Sequence, residues 1–154
     1  GKILQREGND MDFCACLSKL TPADLDALRA RGELRGFATG DVVLSQGDNV
    51  DALGILQVGN LRVGRSYKQN ILAEFTGPLG PGNAVGEISF LDNACASATL
   101  IADGDVKIVF VARSDVDEMI DADPSFAGRL YLSLFIELAH KLRATNQRVL
   151  PTES

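Results

Sequence analysis

Glu87 is the side chain whose type and setting point most directly to chemistry. An ionised carboxylate only accepts hydrogen bonds, so it suits a hydroxyl donor. Gly86 precedes it, and without a Cβ the backbone there can approach a ligand closely. The next residues, Ile88-Ser89-Phe90-Leu91-Asp92, are long enough for one helical turn. The free N–H groups of such a turn, near Ile88 and Ser89, would face an anion. Further on, the run Ala96-Ser97-Ala98 offers one hydroxyl, on Ser97, between two methyl groups. The plainer reading of Gly86-Glu87 is a turn ending in a solvated carboxylate, and the pair taken alone favours it.

Catalysis is harder to assemble from this chain. Its single histidine, His140, falls in a helical stretch near the C-terminus. A cupin-type metal barrel needs two or three histidines from its strands, and a Ser-His-Asp or Cys-His relay needs one opposite its nucleophile. No catalytic residue, no metal site and no cofactor are therefore expected, and the chain reads as a non-enzyme. The cysteines, Cys14, Cys16 and Cys95, are odd in number. No third and fourth ligand follow the first two at metal-site spacing, so free thiols in a reducing cytoplasm fit best. A formal net charge of −6 repels phosphate backbones and argues against nucleic-acid binding. No apolar run is long enough for membrane insertion, and no signal-peptide pattern opens the sequence. The chain starts with Gly1, as a processed product or a fragment of a longer protein would.

These residues need elements to position them. After an N-terminal extension over 1–11, residues 12–32 read as helical. Within them, 12–20 suggest a short helix whose Phe13, Cys16 and Leu17 share a face. Residues 21–31 follow as a second helix, with Thr21 as cap, Pro22 first and Asp24 completing a capping box. Leu25 and Leu28 form its apolar face, and Gly32 stops it.

Between 33 and 113 the period changes. Short apolar runs (LRGF, DVVLS, ALGILQV, LRVGR, ILAEF, ATLIA, VKIVFV) alternate with turn signals (TG, QGDN, GN, YKQN, GPLGPG, ADGD). Such spacing predicts an antiparallel sandwich or barrel, with Gly40, Gly47 and Gly59 at turns that need positive φ. Residues 114–150 return to helix. Ser114 and Asp117 suggest a capping box, with Val116, Met119 and Ile120 inward. Asp123-Pro124 then opens a longer helix that runs to about Val149, ahead of a short tail over 151–154. Phe126, Leu130, Leu134, Leu138 and Leu142 make one stripe; Phe135, Ala139, Leu142, Asn146 and Val149 make another at near-heptad spacing. Either one broad face covers the barrel, or the second stripe meets an identical helix in a homodimer.

The stretch TGDVVLSQGDNVDALGILQVGNLRVGR resembles the entry hairpins of cyclic-nucleotide-binding domains, the family of the catabolite activator protein and the protein kinase A regulatory subunit. LGPGNAVGEISFLDNACASATL resembles that family's phosphate-binding cassette, here over residues 85–100. The likeness covers residues 12–149, nearly the whole chain. It implies a mainly β fold with flanking helices: an antiparallel, jelly-roll-like β-roll between N-terminal helices and two C-terminal ones. It also implies a ligand, cAMP or cGMP, held by Gly86, Glu87, Ile88, Ser89, Ala96, Ser97 and Ala98, with Glu87 on the ribose 2′-hydroxyl and the turn after it on the phosphate. Thr145 and Asn146 lie where relatives often contact the base.

One departure matters. Nucleotide-binding members usually carry arginine at the position of Ala96. Losing one partner of a buried charge pair costs about 2–5 kcal/mol, a fall in affinity on the order of 30-fold to several thousand-fold. Arg62, Arg65 and Arg113 are other cations of the β region, read as solvated strand-end charges. The resemblance thus implies a sensor that couples ligand to its C-terminal helices, with binding weakened or lost. The alternative is a ligand-free structural or oligomerisation domain, and a third possibility is a site retuned to another small anion or a neutral ligand. A transcription factor of this type would continue into a helix-turn-helix, yet only Pro151-Thr152-Glu153-Ser154 follow Leu150. The effector would then lie elsewhere in a longer protein.

Overall fold

The computed structural model describes residues 1–4, 16–66, 72–74 and 79–149. Among these residues seven strands and four helices follow in the order β1 (Lys2–Leu4), α1 (Pro22–Arg31), β2 (Glu33–Phe37), β3 (Val42–Leu44), β4 (Ala52–Ser66), β5 (Leu72–Glu74), β6 (Ala84–Val85), α2 (Glu87–Asp92), β7 (Thr99–Ala112), α3 (Arg113–Ala122) and α4 (Ser125–Val149). All strand pairs are antiparallel. The pairing path runs β1-β2-β7-β4-β5, with β3 also on β7 and β6 on β4. Among the described residues no pairing joins its two ends, so the sheet is an open roll rather than a closed barrel. The N-terminal extension contributes its outer strand, with Ile3 opposite Arg35.

β4 and β7 form the spine. They pair from Ala52↔Ala112 to Gly64↔Thr99, with register shifts between Leu56 and Asn60. Two sequence expectations change here. The GN and ADGD signals do not end strands. Gly59 (φ +87°) and Gly104 (φ +82°) sit inside β4 and β7, where positive φ serves bends in a continuous ladder. At Gly59 a Cβ would overlap the Asp105 carbonyl oxygen.

Gly40 and Gly47 do sit at turns, and the two turns are built alike. Asp41 N–H bonds Ala38 O while its carboxylate accepts from Ala38 N–H; Asp48 repeats both bonds on Ser45. Each turn has its glycine third, at φ +88° and +93°. The first turn lets the chain leave β7 after β2 and rejoin it as β3.

Apolar residues of β7 face both ways, which explains the unbroken run VKIVFV. Val106 and Ile108 join Phe37, Leu56, Leu61 and Leu100 inside the roll. Val109 and Val111 join Leu53 and Ile55 against the helices, where Leu17, Leu28, Val116, Phe126, Leu130 and Leu134 pack.

α1 has its expected capping box, Thr21 Oγ1 accepting from Asp24 N–H and Asp24 Oδ2 from Thr21 N–H. Of the short helix read over 12–20, residues 12–15 lie outside the described set, and Cys16 and Leu17 sit buried in turn rather than helix. α3 starts earlier than its sequence suggests, with Ala112 as cap and no side-chain capping bond. Ser114 is therefore inside the helix. Ahead of α4, Asp123 Oδ1 accepts from both the N–H and hydroxyl of Ser125.

Candidate ligand-binding site

Between β4, β6, α2, β7 and α4 lies a cavity of about 590 Å³, well within the range of small-molecule sites. Gly86, Glu87, Ile88, Ser89, Ala96, Ser97 and Ala98 all border it. Local chemistry explains how they arrive there. Gly86 takes the left-handed conformation (φ +76°, ψ +16°) and caps α2, a conformation that strains most residues with a Cβ. A Cβ on it would press on Val50 at 3.2 Å. Asn93, also left-handed, ends α2 after six residues. Ser89 is buried and its hydroxyl bonds Cys95 O at 3.2 Å, closing the loop behind α2. Ala96 is held by its backbone alone: its N–H bonds Asp48 O and its carbonyl accepts from Gly47 N–H, both at 2.8 Å. Ser97 and Ile88 are exposed at the cavity's edge.

Glu87 is not the solvated carboxylate of the plain reading. It is 5% exposed, and its Oε1 accepts from Lys141 Nζ of α4 at 2.8 Å. Lys141 also donates to Ala84 O at 2.8 Å and lies 3.6 Å from Glu137. Glu137 in turn accepts from Ala84 N–H at 2.6 Å, while its Oε2 is buried without a partner. Burial pushes the Glu137 carboxyl above the usual range, with Lys141 opposing. The same burial pushes the Cys16 thiol up to about 12, leaving it inert. α4 is thus tied to both β6 and the cassette by one lysine and one glutamate.

Sequence reading missed this pair. A signal existed: Glu137 and Lys141 stand four apart on α4, and Lys141 is seven residues from Leu134, hence on the helix's buried face.

The arginines divide. Arg62 and Arg65 are exposed and outside the cavity lining. Arg113 is not the solvated charge expected. Its guanidinium donates to Phe90 O (3.1 Å) and Val50 O (3.2 Å) and stacks 4.4 Å over the Phe90 ring. It clamps α2 from beneath and supplies nothing to the cavity. His140 is exposed on α4. Among the described residues no group of His, Cys, Asp and Glu could hold a metal, and no helix is long and apolar enough to cross a membrane. The side chains of Thr145 and Asn146 lie outside the described set.

An open antiparallel roll with a glycine-capped helical turn over an internal cavity, closed by a C-terminal helix, defines a β-roll domain with an enclosed candidate site. A family model described as the cyclic nucleotide-binding domain matches residues 34–123, and the chain belongs to that family. It is 30% identical over 114 residues to the Cyclic AMP receptor protein of Thermus thermophilus, covering 72% of this chain and 51% of that one. It is 25% identical over 112 residues to the cAMP-dependent protein kinase regulatory subunit of Hypocrea atroviridis, covering 73% and 23%. The chain thus spans about half or less of these relatives. Among solved structures, a cyclic nucleotide-binding domain from Methylobacillus flagellatus superposes with a TM-score of 0.80 at 19% identity, over 96% of this chain and 88% of that one. The β-roll with flanking helices is the family's fold.

Proposed function

We propose that this chain is a ligand-sensing regulatory domain in which α4 reads the occupancy of the roll, and in which cAMP and cGMP bind weakly because Ala96 stands at the arginine position. The observation that carries the reading is Lys141. It joins the reporter helix to Glu87, the carboxylate that the family resemblance places on the ribose, so a ligand at Glu87 acts directly on the helix's anchor. The domain is non-enzymatic, and its output belongs to an effector in a longer protein, as the greater length of the relatives suggests. It works in the reducing cytoplasm and forms a homodimer through α4. The outward stripe supports the dimer: Leu132, Phe135 and Leu142 are 50%, 58% and 60% exposed.

Titration calorimetry with cAMP and cGMP tests this on the wild type and on Ala96→Arg. Weak wild-type binding that tightens at least tenfold in the variant is expected, on the order of 1.4 kcal/mol or more. A variant that binds no better removes the arginine argument. The second reading, a ligand-free oligomerisation domain, is favoured by the same Ala96 and the same stripe. It predicts a stable dimer with no ligand response in α4.

A further inference from the structure

Among the described residues that border the cavity, the charged side chains are Glu87 and Lys141. They are paired with each other at 2.8 Å, so the wall carries no net charge. An incoming anion finds a methyl group at Ala96, the first-turn N–H groups of the six-residue α2, and a lysine already shared between Glu87, Ala84 O and Glu137. To use that lysine it must draw it away from Glu87 and strand a carboxylate that is 5% exposed, which is costly in a low-dielectric site. An incoming cation meets Lys141 as a like charge.

The rest of the wall is mostly apolar: Leu44, Val63, Leu79, Leu100, Leu138 and Leu142. Ile88 is 47% exposed at its edge, a large apolar surface open to a ligand. Polar capacity for orienting a ligand is left on Glu87 and Ser97. An ionised carboxylate offers about four acceptor sites, and Lys141 Nζ occupies one on Glu87 Oε1. Beside it Ser97 presents a hydroxyl.

We propose that the cavity takes an uncharged, mainly apolar small molecule that donates a hydroxyl to Glu87 beside Lys141, shifting the balance of that pair without displacing the lysine. This rests on the reading of the roll as a sensing site and names the class of molecule sensed. Cyclic nucleotides are then poor ligands because of their charge as well as their lost arginine.

The test is a charge scan on one skeleton. The neutral fluorophore N-phenylnaphthylamine is bound to the full chain and displaced by octanol, octanoate or octylammonium. Octanol should displace it at a concentration at least about tenfold lower than either ion, as expected for one unit charge brought near the pair. Ser97→Trp, at an exposed edge position, should block the probe, and Ala96→Arg should narrow the gap for octanoate. Equal or better displacement by either ion overturns the proposal. If the probe fails while cAMP binds, the neutral class falls and the sensing reading stands. If neither binds, both fall. If octanol wins but amide exchange along α4 is unchanged by it, the ligand class stands and the sensing reading falls.

Discussion

Replacing Lys141 with methionine keeps most of the side-chain volume and removes the charge, leaving Glu87 and Glu137 without their shared cation. Both carboxylates are at least nine-tenths buried, and Lys141 itself is 20% exposed. Removing one partner of a buried ion pair costs about 3–5 kcal/mol. The residual exposure of Lys141 argues for the lower end, about 3, and the unmade bond to Ala84 O adds about 1. A loss of about 4 kcal/mol in a domain of this size lowers the melting temperature by about 8–16 °C. The deficit depends on pH with a definite sign. Glu137 already holds its proton more tightly in the folded chain than in the unfolded one, and without the lysine it does so more strongly. The folded state then binds more protons than the unfolded state, so stability falls as pH rises through and above the carboxylate range. Urea unfolding at a series of pH values reads this directly. The deficit should shrink towards acid, and Glu87→Gln with Glu137→Gln in the same background should restore half or more of it. A loss below about 1 kcal/mol, or one that ignores pH, would refute the view that Lys141 neutralises two buried carboxylates.

Three further outcomes are expected. Gly59→Ala should destabilise by at least about 2 kcal/mol in chemical unfolding, because φ +87° and the Asp105 carbonyl both oppose a Cβ there. Arg129 holds Asp24 through two bonds of 2.7 and 2.9 Å and keeps its carboxyl below the usual range. That stability is present above the ordinary carboxylate range and is lost as pH falls through the depressed value, so Arg129→Met should melt several degrees lower at pH 7 and converge with wild type in acid. If the chain dimerises through α4 as proposed, Phe135→Glu should leave a monomer in sedimentation at micromolar concentration; a wild-type monomer at every concentration removes the dimer.

What the sequence disclosed was whatever depends on neighbouring residues. The capping box of Thr21 and Asp24 spans three positions and needs nothing else. The turns at Gly40 and Gly47 are equally local, since each Asp bonds back to its own turn. The seven cassette residues follow from motif order along one continuous loop, and they border one cavity. The continuity of β4 and β7 was illegible, because a glycine with positive φ serves a hairpin turn and an in-strand bend alike, and only the opposite strand decides. Arg113 and Lys141 were misplaced or missed for the same reason. Arg113 acts on residues 23 and 63 positions away, and Lys141 on one 54 positions away, so their partners exist only once the roll has folded.

The way Ala96 is held bears on how such a site changes over evolutionary time. Its N–H and carbonyl are fastened to Asp48 and Gly47, and every amino acid except proline brings both groups. The backbone bonds therefore tolerate any side chain that the cavity beside this buried position can hold, and the cavity's chemistry changes with it. A lineage can exchange an arginine for a methyl group at this place, or restore it, with little risk to the sheet. Ligand preference becomes a trait that drifts separately from foldability, and the roll can be reassigned to new molecules one residue at a time.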